Sequence, residues 1–210
     1  TKSDDVDRRA ELLALLGRVP LVPNDATAVT ARASAALTGP APFVVRARAI
    51  EALGGAGTPE AVDRLSQVRA SSGDGVVRAL ATTALARIPS PTAAAALQAA
   101  LRDADPRARA TAAASLGRRG DGSAAEAIAG ASDREAWPFV RRAQIAALGE
   151  LCDGPAHAVL ERAATRDVDE VRREAFTGLV RCRHPNARGH LERALARRAE
   201  APLLRAHAAR

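Results

Sequence analysis

Apolar positions along this chain recur with two nested periods. Over short stretches they fall four residues apart, the spacing of one face of an α-helix. Over longer ones the same phrases return about every 31 residues: VVRARAIEAL, VVRALATTAL, RARATAAASL, FVRRAQIAAL and EVRREAFTGL. Their arginines are Arg46, Arg78, Arg109, Arg141 and Arg172, at spacings of 32, 31, 32 and 31. Seven residues after each stands a leucine: Leu53, Leu85, Leu116, Leu148 and Leu179. Val45, Val77, Ala108, Val140 and Val171 lie eight residues before those leucines, with Ala49, Ala81, Ala112 and Ala175 between them. This i, i+4, i+8 stripe predicts a buried helix face in which Gln144 is the one misfit. PLLRAHAAR, with Arg205 near the same register, begins a sixth copy.

A second helix is predicted after each first one. Five residues beyond the leucines come Thr58, Ser90, Asp121, Asp153 and His184, of which the first four are good N-cap residues. Pro59, Pro91, Gly122, Gly154 and Pro185 follow them directly, and proline suits the first helical position. The pairs Ala61/Leu65, Ala93/Leu97, Ala124/Ile128, Ala156/Leu160 and Ala187/Leu191 then form the buried seam of the second helix. Asp74 and Asp105 read as caps of the next first helix, and Pro106, Pro138 and Pro202 as marks of the inter-repeat turns. Asp5 to Gly17 and Ala26 to Leu37 read as an atypical helix pair closing the open end of a stack.

The V-R-x-x-A-x-x-A-L first helix, and a second helix opening on Gly or Pro with Ala and Leu four apart, resemble the HEAT-like repeat family. The likeness is closer to its short bacterial form, named after phycobilisome lyases, and it covers residues 41–210. Tetratricopeptide repeats fit less well, their aromatic positions and 34-residue period being absent, and ankyrin repeats lack their T-P-L-H phrase. The resemblance implies an all-α, right-handed α-solenoid of antiparallel helix pairs in a single domain. Its parts are an N-terminal pair at 1–40, repeats at 41–72, 73–104, 105–135, 136–167 and 168–200, and the start of a further helix at 201–210. That unfinished repeat, with an opening at Thr1 and no methionine, points to a trimmed or processed chain or a segment of a longer one.

Composition narrows the function classes. Aromatic residues are only 2% of the chain and strand formers are sparse, which argues against a β-sandwich or barrel. No apolar run reaches the ~18 residues of a membrane span, no charged-then-apolar leader opens the chain, and the cytoplasm is the favoured compartment. The net charge of +7 leans toward the C-terminus, where residues 151–210 carry 12 basic and 8 acidic groups. Acids nevertheless alternate with bases, and no aromatic interleaving offers bases a stacking platform, so nucleic acid fits poorly as a partner. Phosphate loops, H-E-x-x-H helices and G-x-S-x-G elbows are absent, and Gly54-Gly55-Ala56-Gly57 follows a helix rather than a strand. No cofactor is implied.

The recurring arginine reads as architecture, and the resemblance implies that it bonds backbone or acids of a neighbouring turn; Asp74, Asp105 and Asp169 stand just ahead of three of them. Small residues at Ala52, Ala84, Ser115, Ala147 and Gly178 should let adjacent helices approach closely. The resemblance implies that second helices line a concave groove, with outward positions that include Arg102, Glu126, Ala129, Asp133, Glu161, Arg162, Glu192 and Arg193. Glu161-Arg162 returns one repeat on as Glu192-Arg193. Such a groove suits a helix or extended peptide of another protein. Trp137, beside Phe139 at an inter-repeat turn, reads either as a staple against the next helix or as an exposed anchor for a partner. Cys152, His157, Cys182 and His184 occupy the same turn of two successive repeats. Zinc, a disulfide and free thiols are all open there, and neither C-x4-H nor C-x-H being an established zinc spacing, two free thiols are expected. The expected function is a non-catalytic protein-binding scaffold, with nucleic-acid binding and a lyase-like enzyme subunit as alternatives.

Overall fold

The computed structural model describes residues 2–16 and 23–196. Among them every regular element is helical, and the helices pair as an α-solenoid of short repeats. The chain forms two compact units, Thr1–Ala100 and Leu101–Arg210. The first unit holds α1 (Lys2–Leu16), α2 (Pro23–Ala36), α3 (Phe43–Ala56), α4 (Pro59–Ser71), α5 (Gly75–Arg87) and α6 (Pro91–Ala100). There α3 packs between α1 and α5, while α4 packs against α2 and α6, so first and second helices form two layers. The second unit repeats the plan. Its α7 (Pro106–Arg119), α9 (Pro138–Leu151) and α11 (Asp169–Arg181) form one layer; α8 (Ala125–Ser132), α10 (Ala156–Arg166) and α12 (Ala187–Ala196) form the other. The predicted N-terminal pair is present, each helix beginning three residues earlier than the sequence pattern implied. Pro202, Arg205 and the helix expected at 201–210 lie outside the described residues.

The first-helix columns form the core. All five leucines and the valine or alanine eight residues before each are buried. In the second helices Ala61, Leu65, Ala93, Leu97, Ala124, Ile128, Ala156 and Leu160 are buried, whereas Ala187 and Leu191 of α12 are half-covered. Gln144 is fully buried, and neither its amide oxygen nor its amide nitrogen has a hydrogen-bond partner. A buried amide left so is destabilising, which makes this position the polar flaw of an otherwise apolar column. Caps fall where the sequence places them. Thr58 accepts from the Ala61 amide at 3.1 Å, Ser90 from Ala93 at 3.1 Å, Asp74 from Val76 at 2.9 Å and Asp105 from Arg107 at 2.8 Å. Asp121 opens only a 3-10 turn, Gly122–Ala124, and α10 starts at Ala156, so the glycine-led second helices begin late.

The recurring arginines tie consecutive turns together. Each of three donates to a carbonyl six residues earlier: Arg78 to Ser72 at 2.8 Å, Arg109 to Asp103 at 2.8 Å and Arg141 to Glu135 at 2.9 Å. Each of three also reaches an acid of the next turn. Arg46 lies 3.9 Å from Asp74, Arg109 holds both carboxylate oxygens of Glu135 at 2.7 and 2.8 Å, and Arg141 holds both of Asp167 at 3.0 and 2.6 Å. Of the acids just ahead of the arginines, Asp74 and Asp105 both cap their helices, Asp74 also meets Arg46 of the preceding repeat, and Asp169 lies 3.7 Å from Arg172.

The free-thiol expectation is overturned: Cys152 and Cys182 form a disulfide, with Cα atoms 5.1 Å apart. The cause is a close approach of α9 and α11. A Cβ built on Gly149 would lie 2.7 Å from the Cα of Gly178, a spacing that only two glycines allow. Helices in such contact bring their C-terminal ends together, and Cys152, left-handed at φ 53°, ends α9 where Cys182 ends α11.

Two outcomes are expected. Thiol titration of the unfolded, unreduced protein should find no reactive thiol, and reduction should cost about 3–4 kcal/mol, the loop-closure entropy of a 30-residue separation; two thiol equivalents would contradict the bridge. Gly149→Ala should lower stability by about 1–3 kcal/mol in urea unfolding although alanine favours helices, because the new methyl meets backbone rather than a yielding side chain.

Candidate functional site

The second helices of the Leu101–Arg210 unit carry most of the residues singled out above. Between α8, α9 and α10 lies an open hollow of about 200 Å³. Ile145, Val159 and Ala163 form its apolar floor; Asp133, Arg141, Arg162, Arg166 and Asp167 stand around it. The i, i+4 spacing of Arg162 and Arg166 puts both on one face of α10. Arg162 crosses to Asp133 of the preceding repeat at 2.6 Å, a pair with side chains 49% and 59% exposed. Arg141 and Asp167, mostly buried, close the other side.

Glu161 does not behave like its sequence counterpart Glu192. It is half-buried and accepts from the Asn186 side-chain amide at 3.2 Å, with His190 Nε2 at 3.3 Å. These contacts clasp α10 to the turn and helix of the next repeat. The hydrogen bond from Asn186, then that from His190, holds the Glu161 carboxyl below its ordinary value of 4.5. His184 Nδ1 also accepts the Asn186 backbone N–H at 3.2 Å, doing for α12 what the cap residues do elsewhere. The His157 ring meets His184 edge-on, centroids 4.8 Å apart. The cysteines of this turn are bonded to each other, and among the described residues no group of three His, Cys, Asp or Glu side chains is arranged to hold a metal ion.

The other predicted positions scatter. Glu192 pairs with Arg188 one turn back on α12 at 2.7 Å, fully in solvent. Arg193 is exposed, its guanidinium folded over Gly189. Arg102 is not on a helix face, because α6 ends at Ala100 and leaves it exposed in the following turn. Glu126 is exposed in the first turn of α8, whereas Ala129 is buried rather than outward-facing. Trp137 is 53% exposed and stacks edge-on with Phe139 at 6.1 Å, so the aromatic pair sits on the surface instead of stapling the helix. Sequence reasoning passed over Arg166, Asn186 and His190. The spacing of four from Arg162 was a signal for Arg166; Asn186 and His190 had none, since their partner lies 25 to 29 residues away.

The Glu161 clasp has a measurable sign. A carboxyl depressed in the folded state contributes stability above its unfolded value, and that stability is lost as pH falls through the folded one. An NMR titration should find Glu161 below 4.5, and Asn186→Ala should move it back toward that value. No change in the variant would remove Asn186 as the cause.

Against known proteins, three overlapping segments, residues 30–103, 65–149 and 95–180, match the family model for HEAT repeats. No curated protein sequence matches the chain. Among solved structures it is similar to the complex of CpcE and CpcF of phycocyanin lyase from Nostoc sp. PCC7120, with 23% identity over 90% of this chain and 74% of that one, TM-score 0.61. It is also similar to human deoxyhypusine hydroxylase in complex with glycerol, with 20% identity over 85% and 80%, TM-score 0.54. An engineered protein matches with 19% identity over 85% and 91%, TM-score 0.51. These structural likenesses carry the fold alone. The family model, spanning well over half of the sequence, shows that the chain belongs to the HEAT-repeat family.

Proposed function

We propose that this protein is a non-catalytic scaffold that binds a peptide or helix of another protein along its second-helix face. The observation that carries the reading is the hollow between α8 and α10, where an apolar floor lies open between charged walls. A small apolar recess flanked by arginines is the makeup of an interface hot spot. The likeness to CpcE and CpcF, solved as a complex, fits a chain that works by assembling with another. That same likeness supports the second reading, a lyase-like subunit, which a pigment-transfer assay would test directly.

The groove reading separates two kinds of arginine. Arg162 and Arg193 stand in solvent, and exposed pairs contribute at most about 1 kcal/mol to stability. Arg141 is held by two oxygens of Asp167 and a carbonyl, so its removal strands a mostly buried carboxylate. With a partner recovered by pull-down and identified by mass spectrometry, Arg162→Ala with Arg193→Ala should weaken binding at least about tenfold, which is about 1.4 kcal/mol. The melting temperature should stay nearly unchanged. Arg141→Ala should instead cost about 3 kcal/mol of stability. Normal partner binding by the double variant would move the contact elsewhere, with the Trp137 turn next.

A further inference from the structure

We infer that the second-helix groove of the Leu101–Arg210 unit selects an acidic, extended peptide, in which a carboxylate recurs every third residue among small aliphatic side chains. This rests on the groove reading above and names the chemistry of the partner. The charges on that face are the starting point. Its carboxylates are already engaged within the chain: Asp133 by Arg162, Asp167 by Arg141, Glu161 by Asn186 and His190, and Glu192 by Arg188. Glu126, which has no such partner, lies two helical turns from Asp133, about 10 Å away. Arg166 and Arg193 have neither an ion pair nor a side-chain hydrogen bond among the described residues. Apart from Glu126, the face therefore presents unsatisfied donors and satisfied acceptors, which is complementary to a ligand of carboxylates.

Arg162 adds a third donor. Its pair with Asp133 is exposed on both sides and contributes little, so an incoming carboxylate can take its place. Arg141, by contrast, is fixed by Asp167 and stays part of the wall. Arg162, Arg166 and the planar fork of Arg193 can each bond a carboxylate through two nitrogens. Beneath Arg162 and Arg166 the floor of Ile145, Val159 and Ala163 takes a small aliphatic side chain.

Geometry sets the spacing. Arg162 and Arg193 stand on neighbouring second helices, which pack about 8–10 Å apart. In a polyproline-II-like extended chain, with three residues per turn and a rise of about 3.1 Å per residue, side chains three apart share a face and stand about 9 Å from each other, so one carboxylate in every three residues matches the arginines. A phosphate backbone is a weaker candidate. The face has no aromatic side chain on which a base could stack.

The test uses fluorescein-labelled synthetic peptides, Glu-Val-Ala repeated four times against the same sequence with Gln or Lys replacing Glu, in fluorescence anisotropy with the full chain. The Glu peptide should bind at least tenfold more tightly than the Gln peptide. Arg166→Glu with Arg193→Glu, whose helical circular dichroism and melting should match the unaltered protein, should lose that advantage at least tenfold and gain affinity for the Lys peptide. Glu-peptide binding that the double substitution leaves unchanged would overturn the inference, as would tighter binding of labelled oligothymidylate through the same arginines. Preference for the Gln or Lys peptide, abolished by the substitutions, would overturn the acidic specificity while leaving the groove reading intact. If none of the peptides responds to the substitutions, both fall.

Discussion

At the boundary between two repeats, one guanidinium does the joining. Arg141 donates back to the carbonyl of Glu135 and forward to the carboxylate of Asp167, so it spans the turn before its helix and the turn after the next. The acids it and Arg109 meet do double duty. Glu135 accepts the Trp137 amide at the start of α9, and Asp167 accepts the Val168 amide at the start of α11. One carboxylate thus fixes the turn that leads into a helix and receives the arginine of the preceding repeat. Because turn geometry and inter-repeat spacing share these atoms, neither can drift without loosening the other. The second helices, which hang from these turns, inherit their positions and with them the walls of the hollow.

That arrangement also explains why arginines of one sequence composition do two jobs. The Arg109 and Glu135 side chains are 17% and 4% exposed, and such a pair is costly to break once formed. The hydrogen bond from Arg109 holds the Glu135 carboxyl below its usual range, as an ion pair placed mostly out of water should. Arg166 and Arg193 stand on helix faces turned to solvent, with no carboxylate paired to them among the described residues. Burial, not residue type, divides the structural arginines from the available ones.

The helix plan was legible because it rests on identity columns. Val, Ala and Leu return at fixed intervals, and cap residues such as Thr58, Ser90 and Asp105 sit at fixed distances from them. What stayed hidden depends on compensations between columns. The acid that receives Arg46, Arg109 or Arg141 lies 26 or 28 residues downstream and changes between Asp and Glu, so it forms no column of its own. The disulfide needed the Gly149–Gly178 contact, and a generic helix spacing of about 8–10 Å gave no reason to bring the two cysteines within bonding range. Glu161 and Glu192 repeat in sequence, yet Glu161 is held by Asn186 and His190 of the following repeat whereas Glu192 pairs with Arg188 of its own helix.

The Cys152–Cys182 bond has a mechanical meaning. It closes a ring that contains α10 and α11, so a pull applied along the chain passes through the sulfurs and bypasses the segment between them, a sequence separation of 30. That segment amounts to roughly 100 Å of extended chain that tension cannot draw out. The helix bearing Arg162 and Arg166 is thereby placed on the unloaded branch. A partner or a neighbouring domain can strain this protein from either side, and the stretch that forms the wall of the hollow carries none of that load.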